Sequence, residues 1–315
     1  MSIPLIDLSK LTHDSGAIRQ SEINALDKAC REIGFFYLTN TGISSELMAA
    51  LMREAKRFFK QPQDVKNAID IKNSVNHRGY GNIGEEQLDE IGHADWKETF
   101  DMALDLSPYH PQVARCPDLY GPNQYPNIEG FVQLVQQHYQ LSLQVGLNIL
   151  KAMALALGEA ENFFSQYFTH PISVLRFIHY PPQQKSSNGA GAHTDYGCIT
   201  LLYQDHIGGL QVRGRNGEWF DAPPVANSFV VNIGDLMQRW TNDCYQSTAH
   251  RVTSPTEQAT RFSMPFFVEP DFDTPVSTLA SCLAEGEPSP YPEITAGDWI
   301  LSRFSDTYAY RNKGN

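Results

Sequence analysis

Gly191-Ala192-His193-Thr194-Asp195-Tyr196-Gly197 lies between a β-rich run ending at Tyr180 and another beginning near Ile199. His193 and Asp195 are two residues apart, so on an extended backbone both side chains project to the same side. Gly191, Ala192 and Gly197 are small and leave the backbone open to close approach by a metal and a substrate. An imidazole and a carboxylate on one side make two thirds of a metal site and require a third ligand from elsewhere. His250, within Ser247-Thr248-Ala249-His250-Arg251-Val252, is the candidate. Taken alone, a His-x-Asp pair is more often a hydrogen-bonded surface loop, and ten histidines allow such a pair by chance. Context and order decide for the metal. Two His and one carboxylate with the opposite positions open is the ligand set of a non-haem Fe(II) centre.

Arg261 follows His250 within Thr260-Arg261-Phe262-Ser263-Met264-Pro265-Phe266-Phe267. Arg261 and Ser263 share one face of a strand, and Phe262 and Met264 take the other. A guanidinium forks onto a carboxylate with two parallel hydrogen bonds, and a hydroxyl beside it adds a third. A strand arginine usually ends in an edge salt bridge. Here the neighbours are apolar, and an inward-facing charge needs a buried partner. A dicarboxylic co-substrate suits that need: 2-oxoglutarate, its distal carboxylate on Arg261 and Ser263 and its keto-acid end on the iron.

With these residues in place, the chain resembles the isopenicillin N synthase-like family of Fe(II)/2-oxoglutarate-dependent oxygenases. His193, Asp195 and His250 match the family's iron ligands, and Arg261 and Ser263 match its Arg-x-Ser motif. The resemblance runs over nearly the whole length. It takes in Ile3-Pro4-Leu5-Ile6-Asp7-Leu8, Gly34-Phe35-Phe36-Tyr37-Leu38-Thr39-Asn40, Gly208-Gly209-Leu210-Gln211-Val212 and Asn232-Ile233-Gly234-Asp235-Leu236. Tyr180 matches a tyrosine that helps hold 2-oxoglutarate. Ile178 stands where many members carry asparagine, so one hydrogen bond to the co-substrate is expected to be missing. His179 alternates away from both and reads as structural or solvent-facing.

The resemblance implies an α+β fold, a double-stranded β-helix (jelly-roll) core with a largely helical N-terminal region packed against it. The divisions it suggests are 1–120, an N-terminal non-haem dioxygenase region, and 121–170, a long helix bridging to the core. Then come 171–270, the oxygenase jelly roll, and 271–315, an extension near the barrel mouth. It implies Fe(II), 2-oxoglutarate and O2, and oxidation of a small molecule (hydroxylation, desaturation or ring closure) with release of succinate and CO2. Three alternatives stay open: an Fe(II) oxidase that uses no 2-oxoglutarate, an ethylene- and succinate-forming enzyme, and a non-enzymatic jelly roll that a metal merely stabilises.

Composition bounds the rest. The chain has 315 residues, 41% hydrophobic and 19% charged, enough for a sizeable core and unlike a disordered chain. A net charge of −12 offers no basic stripe for phosphates and argues against nucleic-acid and anionic-membrane partners. Cys30, Cys116, Cys198, Cys244 and Cys282 are sparse and irregularly spaced, which predicts reduced thiols in a cytoplasmic protein. No basic-apolar leader opens the sequence and no apolar run approaches a membrane span. The oligomeric state is left open, with a monomer expected.

Apolar spacing predicts helices over 18–33, after Ser44 and Ser45, and from near Asn127 to Gly158. His138, on the inner stripe of the last, reads as a core histidine. Short strands follow Pro171, and Asn216-Gly217 marks a hairpin. Arg78-Gly79-Tyr80-Gly81 and Asp95-Trp96-Lys97-Glu98-Thr99-Phe100 resemble segments that line the substrate side. Trp299 to Phe304 is expected near the barrel mouth as part of a lid.

Overall fold

The computed structural model describes residues 2–86, 88, 94–182, 188–253 and 260–307. Its larger sheet runs β1 (Leu5–Asp7), β2 (Phe35–Thr39), β10 (Phe229–Ile233), β7 (Ile199–Gln204), β12 (Arg261–Val268), β5 (Val174–Tyr180), β4 (Glu98–Ala103), β3 (Gly79–Gly81). The smaller runs β6 (Asn188–His193), β11 (His250–Thr253), β8 (Leu210–Arg213), β9 (Trp219–Asp221). Among the described strands of these two sheets, β1 and β2 pair in parallel and the other ladders are antiparallel. The Asn216-Gly217 turn joins β8 to β9, closed by the Gly214 amide on the Glu218 carbonyl at 2.7 Å.

Alternation along β12 sorts its side chains into two environments. Phe262, Met264, Phe266 and Val268 enter the main hydrophobic core. That core fills the space between the larger sheet and the helices Gly16–Glu32, Ser45–Phe59 and Phe131–Ala156. Each helix buries one stripe, as the spacing predicts, and Ser44 caps the second by accepting the Leu47 amide. At Gly146 the long helix approaches β12 so closely that a Cβ would lie 2.8 Å from Val268 Cγ2. Residues on the opposite face of the larger sheet, such as Ile178, Tyr180 and Val230, meet Ala190, Leu210, Val212 and Val252 of the smaller one. This is the jelly roll, and its interior is filled at one end and hollow at the other.

Three local differences from the sequence reading have physical causes. The long helix starts at Phe131, not Asn127, because Gly130 sits at φ +79° and the preceding residues close a turn onto Pro126. The N-terminal region supplies β1 to β4, flanking the jelly-roll strands on both sides, so it is woven into the sheet as well as packed on it. β6 is a strand despite Gly189 and Gly191, since β11 supplies its ladder. His138 is fully buried with Ser142 Oγ at 3.4 Å, and burial pushes it down to about 4, a neutral core histidine.

The C-terminal helix Ala296–Thr307 lies across the hollow end. Ile300 and Phe304 pack on Cys116, Leu119, Tyr120 and Ile172. Trp299 Nε1 donates to the Tyr196 carbonyl at 2.9 Å, and the Tyr196 hydroxyl bonds Thr307. Residues 308–315 of the expected extension lie outside the described residues.

Candidate functional site

The β6–β11 register sets His193 directly opposite His250, with ring centroids 4.3 Å apart. Asp195 lies just beyond the end of β6. Its Oδ1 sits 3.8 Å from His193 Nε2 and 3.6 Å from His250 Nε2. The three donor atoms fall within 4.8 Å of one another, close enough to share one ion. His193 Nδ1 donates to the Gly191 carbonyl at 2.7 Å and His250 Nδ1 to the Thr248 carbonyl at 3.2 Å. A carbonyl can only accept, so both Nε2 lone pairs are left facing the shared point. Asp195 Oδ2 accepts from Thr200 Oγ1 at 2.5 Å and from Asn232 Nδ2 at 2.7 Å, which fixes Oδ1 as the free ligand oxygen.

The protonation states agree with ligation. Burial, reinforced by the His250 ring, pushes His193 down to about 3. Burial would raise Asp195, but the two imidazoles and the Thr200 and Asn232 hydrogen bonds outweigh it and hold the carboxyl below its ordinary value. A neutral imidazole beside an ionised carboxylate suits a divalent metal. Asp235 braces the loops from behind: it accepts from Thr194 Oγ1 at 3.1 Å and Ser247 Oγ at 2.6 Å, and its amide donates to the Asp195 carbonyl. Cys198, close to the ligand Asp195 in sequence, is fully buried, and burial raises its thiol far above the ordinary range.

The hollow end is one cavity, lined by the metal triad and by alternate residues of β12 and β5. At one end lies Arg261, 1% exposed. Its Nε donates to the Gly208 carbonyl at 2.7 Å, Nη1 to Ser263 Oγ at 3.2 Å and Nη2 to Gln204 Oε1 at 3.3 Å. Its Cζ stands 4.8 Å above the Tyr180 ring. Every partner is neutral, and no carboxylate pairs with this cation among the described residues. A buried guanidinium held this way in a cavity wall is a receptor for an anion. Ile178, opposite Ser263 in the register, is an apolar wall.

The other end carries a charged network. Arg176 forks onto Asp101 through Nε and Nη2, both at 2.7 Å, and reaches Glu86 through Nη1 at 2.7 Å. Lys97 Nζ bridges Glu86 at 2.7 Å and Asp95 at 2.8 Å, and Asp95 Oδ1 accepts the Gly191 amide at 2.8 Å. The chain of charges thus runs from β4 and β5 to the strand that ends in His193. Burial lifts the Asp101 carboxyl above its ordinary value even against Arg176, the desolvation cost a buried pair still carries.

Of the two segments expected on the substrate side, the second contributes Lys97 to the cavity lining, and the neighbours His77, just before the first, and Asp101, just after the second, also line it. Arg78 and Tyr80 turn elsewhere, Arg78 onto the Asn76, His77 and Leu119 carbonyls and Tyr80 onto Glu98. Trp96 is exposed. Phe304 reaches the cavity from the C-terminal helix, its ring 4.4 Å from that of His77. His179 faces away, bonded to Glu98 and Thr260 and stacked on Phe262, a structural residue. Gly197 does not open a path to a metal or substrate: the Glu269 side chain fills that space. Sequence reasoning misses Thr200, Asn232 and Asp235, although Asn232 and Asp235 fall in a quoted motif.

Residues 3–128 match the family described as the non-haem dioxygenase in morphine synthesis N-terminal, and residues 169–270 match the 2OG-Fe(II) oxygenase superfamily. The chain is 34% identical to the 2-oxoglutarate-Fe(II) type oxidoreductase hxnY of Emericella nidulans, over 97% of this chain and 90% of that one. It is 35% identical to a homoarginine-6-hydroxylase of Arabidopsis thaliana, over 96% and 93%. A full-length Neurospora crassa protein, solved in complex with alpha-KG and thymine, superposes with a TM-score of 0.83 at 28% identity, covering 96% of each chain.

Proposed function

Since the chain belongs to the 2OG-Fe(II) oxygenase superfamily and is an Fe(II)- and 2-oxoglutarate-dependent oxidoreductase acting on a small molecule, we propose which of its residues carry each part of that activity. His193, Asp195 and His250 hold the iron. Arg261 and Ser263 grip the distal carboxylate of 2-oxoglutarate, with Tyr180 supporting the guanidinium from below. The observation that carries this reading is the pairing within one cavity of a three-donor cluster and a buried arginine whose partners among the described residues are all neutral.

The bound metal, with 2-oxoglutarate and O2, supplies the oxidising chemistry and releases succinate and CO2. The protein's own tasks are binding, orientation and exclusion of water. Thr200 and Asn232 keep one Asp195 oxygen occupied, so only the other is offered. Gly208 and Gln204 aim the Arg261 fork, so little ordering remains when a carboxylate arrives. The apolar wall of Ile178, Leu202 and Val252 lowers the local dielectric and strengthens that contact. Phe304 and the C-terminal helix shield the opposite end.

We place the substrate in the space between the charged network and Phe304, both of which line the cavity. The Arabidopsis relative is named for homoarginine and the Neurospora structure holds thymine. Small nitrogen-containing molecules are therefore the class to screen. The five cysteines are free, three of them buried, which supports a cytoplasmic setting. The charge of −12 supports action without nucleic-acid or membrane partners, and we take the monomer as the working unit.

Anaerobic titration tests the assignment. One equivalent of Fe(II) per chain is expected, followed by a visible charge-transfer band on adding 2-oxoglutarate. A substrate found by enhanced O2 uptake should then yield succinate in step. A band that survives in His193→Ala or Asp195→Ala at stoichiometric iron overturns the ligand set.

A further inference from the structure

The inward series on β12 runs Arg261, Ser263, Pro265, Phe267, and its next member is Glu269, one residue past the strand's end. Glu269 is 6% exposed and lines the cavity. Its backbone is pinned, the amide and carbonyl both bonded to Ser173 Oγ at 2.9 Å. Its carboxyl makes no hydrogen bond or ion pair with any described residue. The nearby guanidinium groups are committed elsewhere, Arg78 to backbone carbonyls and Arg176 to Asp101 and Glu86. A Cβ on Gly197 would lie 2.7 Å from Glu269 Cγ and 3.0 Å from Oε1, so the carboxyl occupies a niche that any larger residue would close.

A buried carboxyl without a partner is costly, and in a core it would be replaced or paired. Burial pushes this one up to about 8, with Asp195 adding to the effect and Arg78 and Arg176 opposing it. The cost disappears when a ligand donates to the group. We propose that Glu269 selects the substrate by accepting a hydrogen bond from a substrate N–H beside the metal triad. A protonated amine or guanidine and a neutral lactam share that chemistry. The inference rests on the reading of this cavity as the oxygenase site and names the group that its substrate must present.

The test pairs binding with stability in full-length protein carrying Fe(II) and 2-oxoglutarate without O2. Calorimetry compares thymine with 1,3-dimethylthymine, and butylammonium with butyltrimethylammonium, so that each pair differs in its N–H. At least one N–H probe is expected to bind about ten- to a hundredfold more tightly than its methylated counterpart. Glu269→Met should erase the preference. Glu269→Gln, which keeps an acceptor but cannot ionise, should retain it for the lactam and lose it for the ammonium. The ligand-free Met variant should melt no lower than the wild type, because a buried polar group without a partner has been removed. No preference in the wild type, a preference that survives Glu269→Met, or a clear drop in Tm overturns the proposal. The 2-oxoglutarate band of the wild type, recorded on the same samples, reports on the parent reading alone.

Discussion

Arg176 and Arg261 are guanidinium groups on neighbouring strands of one sheet, the first partly and the second fully buried, and they are held in opposite ways. Arg176 has two carboxylates around it, forked onto Asp101 and touching Glu86. Arg261 has a carbonyl, a hydroxyl, an amide oxygen and the face of a tyrosine. The first charge is complete without a ligand and ties strands together. The second is oriented but not neutralised, and that is the condition of a binding group. Glu269 repeats the contrast with the sign reversed, a carboxyl without a partner near carboxyls that have theirs. What separates the two arginines of this cavity wall is therefore the counter-charge, present around Arg176 and absent among the described partners of Arg261.

Removing a metal ligand should have the largest effect and would sharpen the contrast between site and scaffold. His193→Ala, Asp195→Ala and His250→Ala are each expected to abolish turnover while the far-ultraviolet circular dichroism stays native. The jelly-roll core is built from apolar contacts and does not depend on the metal as a zinc finger does. Arg176→Ala should come next, costing about 3–5 kcal/mol of stability, because Asp101 and Glu86 would be left buried without their cation. Chemical denaturation reads this directly, and a loss below about 1 kcal/mol would break the comparison. Ser263→Ala should weaken 2-oxoglutarate by roughly 1.5–3 kcal/mol through one charge-assisted hydrogen bond, with stability little changed. The smallest effect is expected for Tyr180→Phe, which keeps the ring beneath Arg261 and loses only the hydroxyl. A rise of roughly tenfold or less in the apparent KM for 2-oxoglutarate is expected, and an unchanged value would remove the hydroxyl from the site.

What sequence reveals and what it hides follows from the range of the interactions. His193 and Asp195 are two residues apart, and Arg261 and Ser263 share a strand face, so local periodicity exposes both pairs. The strand carrying His193 is less legible, because Gly189 and Gly191 are poor strand formers and only pairing with β11 makes them one. The Asp101–Arg176–Glu86–Lys97–Asp95 network is not legible, since it exists only once β4, β5 and β6 are brought together. Glu269 reads as a loop residue after a strand. Its role depends on Gly197, seventy-two residues away in sequence, whose missing side chain reads by itself as room for ligand.

The central claim is that Arg261 is the receptor for 2-oxoglutarate and Arg176 is not. Anaerobic titration of 2-oxoglutarate into the Fe(II)-loaded wild type, Arg261→Lys, Arg261→Ala and Arg176→Lys, followed by the visible charge-transfer band, tests it most directly. Arg261→Ala should weaken binding by about 2–5 kcal/mol. Arg261→Lys should also weaken it although the charge is kept, because an ammonium cannot reproduce the fork. Arg176→Lys should leave the dissociation constant near that of the wild type. Wild-type affinity in both Arg261 variants, or an equal loss in Arg176→Lys, would contradict the account.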